Sequence, residues 1–267
     1  MPPISPGERI IFLGGCPRSG LTLLRVILDA HPEISCGPDS GALSLAVAAR
    51  DFASTLGALH SEHFHLPPER VRANFAAAIS AILESRRRRD GKARAAEKSP
   101  MNVVLFPVFA ELFPEAQFIH VVRDGRDVAA SLMSRDWREA QSGRRFDYSA
   151  DPQAAGRYWS NLVDLGLTAE RSIGRARVYR LPYESLAREP EAALRALFAF
   201  LGCKWSGDVL GFHERNLDLV GLETESASEL RAPIHANSVG RHRALEPDII
   251  DAIVRPARGA LKSLGYL

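Results

Sequence analysis

The chain of 267 residues is poor in several things at once. It has three cysteines, three methionines, three tryptophans and no large charge imbalance, with 34 basic against 32 acidic residues and a formal charge of +2. Near-neutrality argues against bulk nucleic acid or a membrane surface as the main partner, so any anion site must be local. Cys16, Cys36 and Cys203 are too scattered for metal-ligand spacing or a paired disulfide framework, which predicts no metal site and fits a reducing cytosol. No run of about eighteen uncharged apolar residues occurs, so no membrane span is expected and the protein reads as soluble and cytoplasmic. Internal repeats and low-complexity tails are absent as well.

One further absence sits inside a motif. "GGCPRSGLTLLR" follows the phosphate-loop pattern from Gly15, but Leu21 stands where a nucleotide triphosphatase carries lysine. The loop lies between "RIIFLGG", a short apolar run, and "LTLLRVILDAHP", where Leu24, Ile27 and Leu28 recur at helical spacing until Pro32. A glycine-rich turn opening a helix presents backbone N–H groups to an anion. Arg18 reads either as a surface side chain or as a guanidinium forking onto phosphate or sulfate oxygens, with Ser19, Gly20 and Thr22 beside it.

Strands and helices alternate along the rest of the chain. "EISCG" and "ARAAEK" read as short strands, and 41–59 and 67–89 as helices. Ser99 and Pro100 look like the N-cap and first residue of a helix that Pro107 should kink or divide. "AQFIHVVRDGRDVAASLMSR" repeats the strand, turn and helix, with Asp124 as cap. A long helix around Tyr158 and Trp159, a strand at "ARVYRL", a helix over 190–201 and a last one over 247–264 follow, with an irregular stretch at 207–243. The pattern predicts an α/β chain, a P-loop-like three-layer fold with a central mainly parallel sheet flanked by helices. Residues 1–8 are expected to be a flexible N-terminal segment and 9–267 a single domain.

Arg123 falls at the end of the fourth strand, and Ser131 and Arg135, four apart, share a face of the next helix. Together they read as a second anion pocket, separate from the first, or else Arg123, Asp124, Arg126 and Asp127 form a structural charge cluster. Lys98 is a third candidate cation at the same edge, although a lone lysine is usually solvated. Asp39 is either the carboxylate that accepts a proton or an ordinary turn aspartate. His31, His120 and Trp159 read as structural residues, and "SRRRRDGK" as a solvated helix end.

At these residues the chain resembles the sulfotransferases that use 3′-phosphoadenosine 5′-phosphosulfate (PAPS), especially the tyrosylprotein sulfotransferases and their bacterial relatives. "CPRSGLTLLRVILDAHPEISCGPDS" is similar to that family's P-R-S-G-T-T-L, D-A-H-P and C-G-E-E-T run, "FIHVVRDGRDVAASLMSR" to its 3′-phosphate segment, and "EKSPMNVV" to its K-D-P segment. "YESL" and "NSVGRHRAL" extend the likeness. The resemblance implies that Arg18, Ser19, Gly20 and Thr22 hold the 5′-phosphosulfate, and that Arg123, Ser131 and Arg135 hold the 3′-phosphate. It further implies that Ser226 and Arg241 make later donor contacts, that Lys98 supports the sulfuryl group, and that Asp39 stands for the catalytic glutamate. It implies PAPS as co-substrate, no metal requirement, and an acceptor hydroxyl on a peptide tyrosine, small phenol, alcohol or glycan. Leu21, Pro38 and Asp39 depart from the pattern, and Ala96 replaces a cysteine, leaving Cys36 without the partner it has in the secretory enzymes. The alternatives are a P-loop nucleotide kinase or triphosphatase and a catalytically inactive nucleotide-binding module. Oligomeric state is not readable.

Overall fold

The computed structural model describes residues 10–215 and 217–267, so the expected flexible segment 1–8 lies outside the described residues. Among the described residues five strands build one sheet: β1 (Ile11–Gly15), β2 (Ile34–Cys36), β3 (Arg94–Lys98), β4 (Gln117–Val122) and β5 (Val178–Pro182). Their spatial order is β2-β3-β1-β4-β5, and every pairing is parallel. The short "ARAAEK" strand, weak by composition, proves to be interior, in register with β1 through Ile11 opposite Ala96.

Parallel strands buried on both faces need helices above and below. Side-chain alternation along β1 sends Ile10 and Phe12 to one layer and Ile11 and Leu13 to the other. The first layer holds α2 (Ala42–His63), α3 (Pro68–Arg89), α4 (Asn102–Leu112), α5 (Gly125–Met133), the short α6 (Asp147–Ala150), α7 (Pro152–Ile173) and α11 (Pro247–Ser263). The second holds α1 (Leu21–Ala30), α8 (Tyr183–Arg188), α9 (Pro190–Leu201) and the short α10 (Ala227–Leu230). Phe12 stacks on Phe109 at 4.2 Å between ring centres, and each such fully buried ring contributes about 1.5–3 kcal/mol.

Several details differ from the sequence expectations. The fourth helix starts at Asn102 rather than at Pro100, and Pro107 sits inside it without dividing it. The α5 helix ends at Met133, so Arg135 lies just past it, on a turn in which its N–H donates to Leu132 O at 3.0 Å. Among the described residues α2 is long and apolar enough to cross a membrane by length and composition. Arg50 and Asp51 interrupt its apolar run, and in this fold Ala42, Ala46 and Ala49 bury against α3 and α4.

The crossover after β1 runs through α1 on one face, whereas the crossovers after β2, β3 and β4 run on the other. The chain therefore changes direction around β1, and its carboxyl end opens a crevice where ligands of such sheets bind.

Candidate active site

A cavity of about 770 Å3 occupies that crevice. Its floor is the turn after β1. Arg18 is a non-glycine residue in the left-handed region (φ 71), and Gly20 follows at φ 95. Backbone strain of this kind, of order 1–3 kcal/mol, is retained where the fold over-determines it, commonly at functional sites. Gly20 could not be another residue for a second reason: an added Cβ would come within 2.5 Å of the Tyr183 ring. No side chain caps α1 at Gly20, so its first-turn N–H groups stay available to an anion.

The two anion turns are not separate pockets, as expected from the sequence, but one contiguous surface. Arg18 Nε donates to Ser131 Oγ at 3.1 Å, and Arg123 Nη1 donates to Arg18 O at 2.9 Å. Arg123 also donates to Ser238 O, stacks over Tyr183 at 4.6 Å, and has its own carbonyl held by Trp159 Nε1 at 3.1 Å. The charged turn after β4 thus divides its duties. Asp124 caps α5 through Arg126 N at 2.9 Å and pairs with the Arg126 guanidinium, as the structural alternative supposed. Asp127 accepts from Gly240 N and His242 N, which lowers its carboxyl pKa against the cost of burial and pins the loop carrying Ser238. Arg123 alone of the four faces the cavity.

Lys98 is not solvated. It is 5% exposed at the end of β3, with Nζ 2.6 Å from Glu223 Oε1, while Arg25 holds Glu223 Oε2 at 2.9 Å. Arg18 lies 3.9 Å and Arg135 3.4 Å from Glu225 Oε2. Burial, helped by the charge of Arg135, lowers the pKa of Arg18, as expected where cations crowd in a confined site. Ser19 Oγ, Arg123 Nε and Arg135 Nε are buried with no hydrogen-bond partner among the described residues. Three orphaned donors around a cationic crevice have the chemistry of an oxyanion site.

Asp39 lines the same cavity and is exposed, with Oδ1 accepting from Gly41 N at 3.1 Å, so it is a turn aspartate and a cavity residue at once. Behind it lies Glu97, 1% exposed, accepting from Ser40 Oγ at 3.3 Å and from the Asn102 amide. Burial and the nearby Asp39 charge push the Glu97 pKa up to about 7. Thr22 and Ser226 also line the cavity. Ser19, Ser131, Arg135 and Arg241 do not: the first three are tied to the cavity only through their neighbours, and Arg241 is exposed, with Nη2 3.4 Å from Glu229. The remaining wall is aromatic and apolar, with Tyr148 stacked on Tyr158 at 4.2 Å and on Phe146 at 5.1 Å beside Met101. The three cysteines are buried and free, Cys36 included.

Sequence reasoning missed Arg25, Glu223, Glu225 and Trp137. Only Arg25 carried a local signal, a charge inside the apolar run "LTLLRVIL", which demands a buried partner.

A parallel α/β sheet whose central strand enters a cation-ringed, glycine-flanked turn defines a P-loop-like fold. The chain belongs to the Sulfotransferase family, whose sequence profile matches residues 10–207. It is 33% identical over 208 residues to protein-tyrosine sulfotransferase 2 of Gallus gallus, covering 77% of this chain and 54% of that one. Protein-tyrosine sulfotransferase A of Caenorhabditis elegans is 28% identical over 262 residues, covering 96% and 67%. The chain thus spans about half the length of the chicken relative, and 40% of the Drosophila melanogaster protein-tyrosine sulfotransferase. In fold it is similar to the sulfotransferase domain of the Synechococcus PCC 7002 olefin synthase, at TM-score 0.65 and 20% identity with 97% of each chain covered. The sulfotransferase domain of the curacin biosynthetic pathway gives TM-score 0.61 at 19% identity, covering 97% of this chain and 98% of that one.

Proposed function

We propose that residues 9–267 form a single catalytic domain that moves a sulfuryl group from PAPS to an acceptor hydroxyl. The observation that carries this reading is the convergence of Arg18, Lys98 and Arg123 on one cavity, with Arg135 at its rim and the buried donors Ser19 Oγ, Arg123 Nε and Arg135 Nε otherwise unpaired. The donor brings roughly four negative charges at neutral pH, counting about two for its terminal phosphate. Arg18, Lys98, Arg123 and Arg135 supply the balance without the lysine that the loop lacks.

In this reading Arg18, Ser19, Gly20 and Thr22 hold the 5′-phosphosulfate, and Arg123, Ser131 and Arg135 the 3′-phosphate. The acceptor oxygen attacks sulfur in line, the bond from sulfur to the bridging phosphate oxygen breaks, and Asp39 takes the hydroxyl proton. Arg18 and Lys98 stabilise the charge that gathers on the leaving oxygen. The product is adenosine 3′,5′-bisphosphate. The stacked Phe146, Tyr148 and Tyr158 favour an acceptor with an aromatic or apolar body, in keeping with the tyrosine-sulfating relatives. The free cysteines fit a cytosolic setting.

Incubation with 35S-labelled PAPS and a panel of phenols, tyrosine peptides and glycans tests the reading. Label in an acceptor supports it, whereas magnesium-dependent ATP turnover without sulfated product would return the kinase alternative.

A further inference from the structure

The turn Gly221–Ser226 carries two carboxylates whose surroundings differ sharply: Glu223 lines the cavity, and Glu225, which does not, meets Arg18 and Arg135 beside it. Glu223 is 6% exposed and lies between two buried cations, Lys98 and the 1%-exposed Arg25. Removing a carboxylate so enclosed would leave two like charges buried together, so this contact is a lasting part of the fold. Glu225 is the opposite case. Its side chain is 26% exposed, it stands 3.9 Å from Arg18 and 3.4 Å from Arg135, and it accepts a hydrogen bond from Trp137 Nε1 at 3.0 Å. Both contacts are longer than the 2.6 and 2.9 Å contacts that hold Glu223, so they grip this carboxylate more weakly. The carboxylate of Glu225 therefore sits, loosely, on the two guanidinium groups assigned to the donor's anions.

We propose that the two carboxylates of this turn act in opposite senses on the donor site: Glu223 is a positioning residue that fixes the Lys98 ammonium at the cavity edge, and Glu225 is an internal stand-in for a ligand oxyanion that the donor must displace. The naming of that ligand as PAPS rests on the function proposed above; the opposition of the two carboxylates rests on the contacts alone. The single carboxylate of Glu225 offsets part of the charge of two guanidinium groups, Arg18 and Arg135, which still act on each other before the donor enters. When the donor enters, its oxygens replace one carboxylate, and Trp137 loses its acceptor. Glu223 stays, because Arg25 does not line the cavity and keeps its hold from behind.

The experiment is calorimetric titration of wild type, Glu225→Gln, Glu223→Gln and Glu223→Asp with adenosine 3′,5′-bisphosphate and, separately, with inorganic sulfate. Glutamine keeps the shape of each side chain and the acceptor for Trp137 while deleting the charge. Glu225→Gln is expected to bind both anions three- to tenfold more tightly. Glu223→Gln is expected to bind them no more tightly than wild type and to lower kcat at least tenfold with little change in the acceptor KM; Glu223→Asp recovers part of the loss. A second readout is Trp137 emission, which should change on anion binding in wild type and not in a Trp137→Phe background. If Glu223→Gln does not fold, Glu223→Asp and the Glu225→Gln arm decide. Equal or weaker binding by Glu225→Gln, or a Glu223 variant that matches wild-type kcat, overturns the proposal even if the bisphosphate binds tightly. Should sulfate show the opposed pattern while the bisphosphate is ignored by every form, the donor identity fails and the roles of the two carboxylates stand. No anion bound by any form removes both.

Discussion

Arg18 Nε donates to Ser131 Oγ at 3.1 Å across 113 positions of sequence, and that bond joins the turn after β1 to the helix after β4 in one cationic surface.

Arg18→Ala removes a charged donor from a confined site, where such hydrogen bonds contribute about 1.5–3 kcal/mol. Affinity for adenosine 3′,5′-bisphosphate should fall roughly ten- to hundredfold. Arg18→Lys should recover only part of this, because an ammonium cannot reach Ser131 and a ligand oxygen with a planar fork. Calorimetry reads both values.

Asp39→Asn keeps the bond from Gly41 N, since Asn Oδ1 still accepts, and the residue is exposed, so the melting temperature should be unchanged. Turnover should fall by about a hundredfold or more, the usual contribution of a general base. A decline of tenfold or less, about 1.4 kcal/mol, would remove Asp39 from that role.

Glu97 titrates at about 7 in the fold against an ordinary 4.5. The folded protein therefore holds this proton more tightly than the unfolded chain does. Its contribution to stability is fully present below pH 4.5 and is lost as pH rises through 7. At 1.36 kcal/mol per pH unit the loss amounts to about 3 kcal/mol. Glu97→Gln, which keeps the Ser40 contact, should flatten this part of the stability profile in urea titrations from pH 4 to 8.

Trp159 is fully buried, and its Nε1 satisfies the carbonyl of Arg123. Trp159→Phe leaves that carbonyl unpaired and shrinks the core, which should cost about 1–3 kcal/mol. Thermal melting measures the loss. Because Arg123 loses its backbone anchor, bisphosphate affinity should fall with it, although residue 159 is not part of the cavity lining.

The legible parts of the fold were those in which neighbours along the chain decide the outcome. The glycine turn after β1, the Asp124 cap of α5 and the helix over Pro190–Leu201 were readable because strand alternation, capping and helical period act within a few residues. Where the local rules competed, they erred by small amounts. Ser99 and Pro100 carried good start signals, yet the helix begins at Asn102, where the Asn102 amide reaches Leu13 O and Glu97. The four-residue spacing to Ser131 predicts a helix face for Arg135, which stands two residues past the helix end.

The cations of the site could be named from the chain alone because glycine turns, strand ends and their arginines form contiguous motifs. Their counter-charges could not. Glu223 meets Arg25 across 198 positions, and the stretch that carries it has no periodic pattern to show where it returns. Coulomb pairing depends on distance in space and on burial, and neither is written in the order of residues. Folding decides that Lys98 is enclosed rather than solvated, that Arg123 leaves its charged turn to face the cavity, and that Arg241 does not line it.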